Sequence, residues 1–471
     1  MPSLRKAPLV DPARQAAWQV ILNCGVQWDV AIGRPGRRNS SRQAAPNLDA
    51  WLAEARKALD NRHDQALLET LVYGVVRRWL QLEALLAELS AFPVEKVEAR
   101  IRGLFRLGVF QLYWLSGVPD YAALNVTVEM ARTEGLSEKS IRFLNGLLRS
   151  AQRQRDAWLS RWDNPEEPPS ESLADWALWA SLPEWIVSDL LTGYGRESLQ
   201  ACVAPSFGVP PLAIRVNTLT VSVDAFLQAL TDSGIPFSQP SPLEVPEALL
   251  IEASEGQARP LPTQLPGFTE GWYVVQDVRS SDVTAWLQPR PGETVVDLCA
   301  APGTKTAHIA ARMAGQGRLF AVDASTRRLE KLQENAQRLQ VPADLLTVIA
   351  APGETFSLPS GVVADKLLLD VPCSGLGTLR KHPEIPLRLS PAAVRETLPA
   401  QQRALIAHAA TLIRPGGTIV YSTCSLHPAE NRAVIDAFLS DHPGFSLDAD
   451  RLYPLDAIGD GFYVARLIRQ S

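Results

Sequence analysis

The sequence predicts a multidomain protein: an all-α N-terminal region, a small α/β linker subdomain, and a C-terminal α/β domain on a mostly parallel sheet. Length is the first reason. At 471 residues the chain is too long for one ordinary core, so two or three domains are expected. A change of rhythm is the second. Helical periodicity fills the first third, and strands alternate with helices from Val283 onward. The third is proline: the chain has 36, concentrated between residues 164 and 270, which marks the middle as linker-rich. The expected boundaries are 1–160, 173–282 and 283–471.

Bulk composition narrows the class. The chain is 46% hydrophobic and 21% charged, so it should fold. A net charge of −5 does not advertise a nucleic-acid partner, although a local basic face is compatible with it. No apolar run approaches the length needed to span a bilayer, and Ser3 to Pro12 lacks the core of a signal peptide. The five cysteines are odd in number and match no zinc spacing. Reduced thiols in a cytoplasmic, metal-free, monomeric protein are the expectation.

The N-terminal third carries helices expected at Arg14–Asn23, Gln65–Leu89 with Asp64 as N-cap, Val94–Gly117, Tyr121–Glu134 and Glu138–Arg155. Ile32 to Asn47, rich in Gly, Arg, Ser and Asn, reads as a loop. The last helix carries Arg142, Arg149, Arg153 and Arg155, either a solvated face or a phosphate-contacting patch. Asn164 to Ser172 is a polar linker, and Leu182–Tyr194 returns to helix. Strands are expected at Ala213–Val221, Pro246–Glu252 and Trp272–Gln276, with a helix at Ala225–Gly234. Arg215 and Asn217 on the first of these strands either satisfy nearby turn backbone or face RNA.

In the C-terminal domain, strands are expected at Thr294–Asp297, Arg318–Asp323, Leu345–Ile349, Lys366–Asp370 and Thr418–Ser422. Helices fall at Thr304–Met313, Ser325–Leu339 and Pro391–Ile413. Ligands of such sheets sit beyond the carboxyl ends of the strands. Asp297, Asp323 and Asp370 fall at those ends, with Cys424 just past another. The centre is V-V-D-L-C-A-A-P-G-T-K-T-A-H-I, Val295 to Ile309: a buried strand, a small-residue turn and a helix. A ligand can approach bare backbone there, at a helix N-terminus. The pattern is neither a dinucleotide fingerprint nor a P-loop. An acid at the strand end suits a cationic, hydroxyl-rich ligand such as S-adenosylmethionine. Asp323 either accepts ribose hydroxyls or serves as an ordinary acid at a helix start.

Two cysteines follow strand ends, in L-L-L-D-V-P-C-S-G and V-Y-S-T-C-S-L. A buried cysteine is usually a small hydrophobe, but a thiolate at the ligand edge can act as a nucleophile. The chemistry that uses these parts together is methylation of cytosine carbon 5. A thiolate adds to carbon 6, carbon 5 becomes enamine-like and takes the methyl group, and a carboxyl near the ring nitrogen assists. The base must be unpaired or flipped.

D-L-C-A-A-P-G-T-K-T, D-V-P-C-S-G and S-T-C-S-L-H-P-A-E-N, in that order, resemble three motifs of the RsmB/Nop2/Sun family of RNA cytosine-5 methyltransferases. L-R-K-H-P-E-I resembles the family's arginine–histidine–proline segment. Upstream, L-V-Y-G-V-V-R-R-W, Y-A-A-L-N-V-T-V-E-M-A and F-L-N-G-L-L-R resemble the NusB-type RNA-binding domain over residues 10–155, with Ile32–Asn47 as an insertion. The combination is similar to the bacterial RsmB branch, also called Fmu or Sun.

The resemblance implies a NusB-like domain, a small RNA-binding subdomain and a Rossmann-like methyltransferase domain that uses S-adenosylmethionine to methylate a cytosine of small-subunit ribosomal RNA. It implies Cys424 as nucleophile and Cys373 as the group that assists release. Asp370 would hold the cytosine or the methionine end of the cofactor. Cys299, Ala300, Ala301, Pro302, Gly303, Thr304 and Lys305 would form the cofactor loop, and Asp323 would take the ribose. Arg380, Lys381 and His382 would contact RNA, joined by Arg149, Arg215 and Asn217.

The chain departs from the family pattern twice. Thr304 stands where a second glycine is common. Where the family usually has an acid on the adenine side, this chain has Ala351 or Pro352, and Glu354 substitutes only with a local shift. Two other functions compete. In a DNA cytosine-5 methyltransferase the proline–cysteine residue is the nucleophile, and the threonine–cysteine motif argues against that. A non-catalytic RNA-binding assembly factor has no need of Cys373 and Cys424 together.

Overall fold

Val295 and Val296 show why the C-terminal half folds as a two-sided sheet. They are adjacent, so their side chains leave a strand on opposite faces, and both are fully buried. Only a strand covered on both sides does that, hence the continuous apolar run. The computed structural model describes residues 10–31, 48–164, 168, 170–240, 245–254 and 259–471. The expected loop at 32–47, and 165–167 and 169 of the expected linker, lie outside these residues. The chain divides into two compact units, residues 1–192 with 382–388, and residues 193–381 with 389–471.

The first unit is helical throughout its described residues, with helices at Pro12–Ala31, Leu48–Lys57, Arg62–Arg77, Trp79–Leu89, Ala99–Trp114, Asp120–Thr133, Glu138–Trp162 and Leu173–Ala180. The expected helix from 65 to 89 is two. Asn61, not Asp64, is the N-cap: its side chain accepts the Asp64 backbone N–H. The break falls at Arg78, which leaves helical geometry at φ −106°, ψ 20°. Residues 94–117 likewise split into a short 3₁₀ turn, Val94–Lys96, and the helix Ala99–Trp114. Glycine lets helices meet closely here: a Cβ at Gly74 would lie 1.9 Å from the Phe110 ring. Arg106 is buried, paired with Glu83 and stacked 3.8 Å over Trp79. On Glu138–Trp162, Arg142, Arg149 and Arg153 are exposed, whereas Arg155 pairs with Asp120 at 3.1 Å.

In the second unit the strands are β1 Leu212–Val216, β2 Phe237–Ser238, β3 Ala248–Ile251, β4 Tyr273–Val275, β5 Thr294–Leu298, β6 Arg318–Asp323, β7 Leu346–Ala350, β8 Ala364–Asp370, β9 Ile413–Thr423, β10 Phe445–Tyr453 and β11 Phe462–Arg469. β1 to β4 form an antiparallel sheet in the order β2-β3-β1-β4. The helix Val223–Asp232, N-capped by Ser222, buries Phe226 and Leu230 in the same cluster as Ile214 and Tyr273. The strand expected to reach Val221 stops at Val216, because Asn217 turns the chain: the Thr220 backbone N–H donates to its carbonyl.

The second sheet has seven strands in the order β10-β11-β9-β8-β5-β6-β7. β5 lies parallel to both β6 and β8, and β8 to β9, while β10 and β11 add antiparallel. The chain leaves β5 toward β6 and β7, then returns to β8 on its other side. That reversal opens a crevice at the carboxyl ends of β5 and β8. Val296, Leu298, Leu367 and Leu369 pack on one face with the helix Leu398–Leu412. Val295, Leu368 and Val420 pack on the other with Ile309 of the helix Thr304–Arg312. The helix Val278–Leu287, capped by Asp277, was not expected from the sequence. None of the helices among the described residues is long and apolar enough to cross a membrane.

Candidate active site

The turn after β5 is built from small residues because little else fits. Gly303 has φ 94°, a left-handed conformation, and a Cβ on it would lie 2.7 Å from Leu332 Cγ. Thr304, where a second glycine is common, is the first residue of the following helix and adopts ordinary helical geometry. Pins from several elements fix the turn. The Ala301 N–H donates to Asp323 Oδ2 at 3.2 Å, and Asn335 Nδ2 donates to the Pro302 carbonyl at 2.9 Å. Arg215 reaches the Thr304 carbonyl at 3.3 Å.

The three strand-end acids occupy different environments. Asp297 is buried, and its Oδ2 accepts the Thr306 hydroxyl at 2.6 Å. Its Oδ1 is buried without a hydrogen-bond partner among the described residues. Burial, reinforced by Asp370 and Asp323, pushes its pKa up to about 7. Asp323 is buried at the end of β6 and accepts the Ser325 N–H at 2.9 Å. Asp370 accepts Lys305 Nζ at 2.8 Å on one oxygen and the Ser422 hydroxyl at 2.8 Å on the other. Burial alone would lower the Lys305 pKa, but the Asp370 carboxylate more than offsets this and raises it.

The two loop cysteines meet: Cys373 Sγ lies 3.3 Å from Cys424 Sγ, both partly exposed. The contact with Cys424, then burial, raises the Cys373 pKa well above the ordinary thiol value. Charge on Cys424 also contributes to raising the Lys305 pKa, so the ammonium and that sulfur lie within electrostatic reach of each other. Cys299, at φ 63°, has its thiol pushed up by burial and by the surrounding acids.

Residues without an assigned role complete the arrangement. Ser374 and Ser425, each following a cysteine, both hydrogen-bond the buried Glu430. The Thr423 hydroxyl donates to Asn431 Oδ1 at 2.6 Å, and Asn431 Nδ2 donates to the Ser425 carbonyl at 2.9 Å. The signal lay in the sequence: a serine after each cysteine, and Glu430-Asn431 closing the threonine–cysteine motif. Where the resemblance implies an adenine-side acid, the Ala351 N–H donates to the Asp323 carbonyl, Pro352 is exposed and Glu354 is half-buried beside Gln401.

The expected RNA contacts divide. Arg215 is buried, its Nε donating to Gln276 Oε1 at 2.8 Å, and burial lowers its pKa to about 9. Asn217 is buried just past β1, with Nδ2 on the carbonyls of Gly271 and Leu339 at 2.9 and 2.8 Å. Both tie backbone together and neither presents a surface to RNA, which corrects that expectation. Arg380 is buried. Lys381 is held between Asp277 and Asp460 at 2.8 and 2.7 Å, so its charge is already neutralised. His382 belongs to the helical unit and is 42% exposed, and Arg149 is exposed. These last two remain open to a ligand.

Comparison with known proteins identifies the family and the order of its domains. The family model described as 16S rRNA methyltransferase RsmB/F matches residues 284–468, the NusB family matches 11–153, and an RsmF/B-like ferredoxin-like domain matches 182–255. A probable ribosomal RNA small subunit methyltransferase B of Synechocystis is 38% identical over 80% of this chain and 81% of its own length. The ribosomal RNA small subunit methyltransferase B of Sodalis glossinidius is 34% identical over 90% of this chain and 94% of its own. The crystal structure of PH0851 shares the fold, with a TM-score of 0.72 at 22% identity, over 98% of this chain and 100% of that one. With a NusB domain, a ferredoxin-like linker and a C-terminal methyltransferase domain in order, the chain belongs to the ribosomal RNA small subunit methyltransferase B family.

Proposed function

We propose that this protein transfers a methyl group from S-adenosylmethionine to carbon 5 of a cytosine in small-subunit ribosomal RNA, through a covalent adduct to Cys424. One observation carries the reading: two thiols 3.3 Å apart beside the Asp370–Lys305 pair, at the carboxyl ends of β8 and β9. A non-catalytic assembly factor has no use for that arrangement. The names of the homologues support ribosomal RNA as the substrate class.

The residues present fit the cofactor. The Asp297 Oδ1, buried without a hydrogen-bond partner among the described residues and close to two other acids, is a site that a cationic ligand would relieve. S-adenosylmethionine, when bound, supplies the methyl group at its sulfonium. The turn from Cys299 to Lys305 would hold it with Asp297, and Asp323 would take the ribose. On the adenine side Ala351 and Pro352 carry no carboxylate, and Glu354, whose charge acts on Cys299, is the acid that would substitute with a local shift.

Cys424 acts as the nucleophile. Its sulfur has Lys305 within electrostatic reach to stabilise a thiolate, and the Cys373 thiol in contact at 3.3 Å. Addition to carbon 6 makes carbon 5 the nucleophilic carbon of an enamine. Asp370, fixed by Lys305 and Ser422, steadies charge at the ring nitrogen as it builds. After transfer, the carbon 5 proton leaves to a base and the carbon–sulfur bond to Cys424 breaks. Cys373 assists this release. Exposed Arg142, Arg149 and Arg153 on the helical unit supply phosphate contacts.

The test is transfer of labelled methyl to small-subunit ribosomal RNA, with product nucleosides identified. Label in 5-methylcytosine with wild type, none with Cys424→Ala, and a trapped protein–RNA adduct with Cys373→Ala are expected. Full turnover by Cys424→Ala together with loss of the adduct in Cys373→Ala would reverse the two roles. Label in another nucleoside would sink the reaction.

A further inference from the structure

The geometry points to Glu430 as a positioning residue: one buried carboxylate that sets the two reactive cysteines against each other. This rests on the roles of Cys424 and Cys373 proposed above. The cysteines come from loops about 50 residues apart in the chain, after β8 and after β9. Each loop is short and rich in small residues, and the two also touch directly, the Gly377 N–H on the Cys424 carbonyl at 2.8 Å and the Ser374 and Ser425 hydroxyls 2.9 Å apart. Yet the two sulfurs must stay in register with each other and with a target ring, and an error near 1 Å costs about 100-fold in rate.

Glu430 ends the one-turn helix Pro428–Glu430 and is fully buried. Its Oε2 accepts the Ser425 hydroxyl at 2.6 Å, next to Cys424, and also the Ser374 hydroxyl, next to Cys373. Its Oε1 accepts the Ser374 backbone N–H at 2.8 Å and Gln402 Nε2 at 3.1 Å. Gln402 in turn donates to the Pro372 carbonyl at 2.9 Å, so Cys373 is tied down on both sides. Every contact is a donor aimed at the carboxylate, and they come from both loops. Tyr421 fixes the clamp, its hydroxyl donating to the Glu430 carbonyl at 2.7 Å. No hydrogen bond joins Glu430 to either thiol among the described residues, although its charge helps to raise the Cys373 pKa; its hold on both loops runs through the serines.

Glu430→Asp keeps the charge but shortens the arm by one methylene, so it cannot serve both loops. At saturating RNA and S-adenosylmethionine, kcat is expected to fall about 100-fold, with KM for RNA and cofactor affinity by calorimetry within about twofold of wild type. In the Cys373→Ala background, the rate of adduct formation falls in parallel. The single-loop variants separate the two arms: Ser425→Ala slows adduct formation, whereas Ser374→Ala leaves formation intact and lets the adduct accumulate. A general loss of folding would not split in that way. If Glu430→Asp fails to fold, these two serine variants decide the matter alone. Glu430→Asp with kcat within twofold of wild type, or the two serine variants with the same phenotype, would overturn the clamp. Cys424→Ala run beside them separates the failures: activity there removes the nucleophile assignment, whereas an inactive Cys424→Ala with a wild-type Glu430→Asp removes the clamp alone.

Discussion

Asp297 offers a test in which stability and cofactor binding move in opposite directions. Its pKa stands at about 7 against an ordinary 3.8, chiefly because the carboxyl is buried and then because Asp370 and Asp323 surround it. Between those two values the folded protein keeps a proton that the unfolded chain has lost. Stability therefore falls as pH rises through that window. An unfolded aspartate is already ionised at pH 5, so just above pH 5 the slope is close to one proton, or about 1.36 kcal/mol per pH unit, and it falls to about half of that at pH 7. Integrated from pH 5 to pH 8, this amounts to about 2.6 kcal/mol.

Asp297→Asn keeps the shape and the acceptor for Thr306 and cannot titrate. Urea unfolding of both proteins without cofactor, with the difference taken at each pH, cancels every other titrating group. The variant should gain about 2–3 kcal/mol on wild type between pH 5 and pH 8. It should also bind S-adenosylmethionine roughly tenfold more weakly at pH 8, since a carboxylate contact to a cation is lost. Saturating cofactor should flatten the wild-type pH dependence. A difference between the two proteins that does not change with pH would show that Asp297 does not titrate in this range, and the reasoning about its environment would fail.

Three further outcomes follow from the same structure. Gly377→Ala should destabilise the catalytic unit by about 3 kcal/mol or more and abolish methyl transfer, because its Cβ would lie 1.9 Å from the Gly461 carbonyl oxygen beside Cys424. Thermal unfolding and turnover check it, and a stable, active variant would contradict the packing. Arg215→Met should cost about 2–3 kcal/mol by leaving Gln276 and the Thr304 carbonyl without their donor, while RNA affinity at fixed salt stays within about twofold. A changed salt dependence of RNA binding would return Arg215 to the RNA surface. Arg149→Gln, at an exposed position, should weaken RNA binding across sequences and reduce the slope of log K against log salt by about 1 with no loss of stability. An unchanged slope would mark that arginine face as merely solvated.

The sequence by itself determined the parts whose physics is local. Buried β5, β6 and β8 read directly from unbroken apolar runs, and Arg318–Asp323 falls where it was expected. The small-residue turn after β5 and the two cysteine loops were legible because their residue types are unusual together. Helix breaks were less legible. Arg78 carries no proline or glycine signal, so the division there is set by how the two helices pack. The antiparallel β10 and β11, half-exposed in part, gave no periodic signal strong enough to name them.

Only the tertiary structure decided what faces what. Arg215, Asn217 and Lys381 are polar residues of a kind often found at surfaces, yet the first two are buried and Lys381 sits between two carboxylates. A strand's own pattern cannot reveal that its arginine will meet a carbonyl 89 residues away. The same holds for the site. No role was assigned to Glu430, Ser374 or Ser425 from the sequence. Their role follows from strand order, which sets β8 beside β9 and so brings two loops, otherwise unrelated in sequence, to one buried carboxylate. Local chemistry is written along the chain. Pairing across 50 residues is fixed by the register of the sheet, through hydrogen bonds that no single segment encodes.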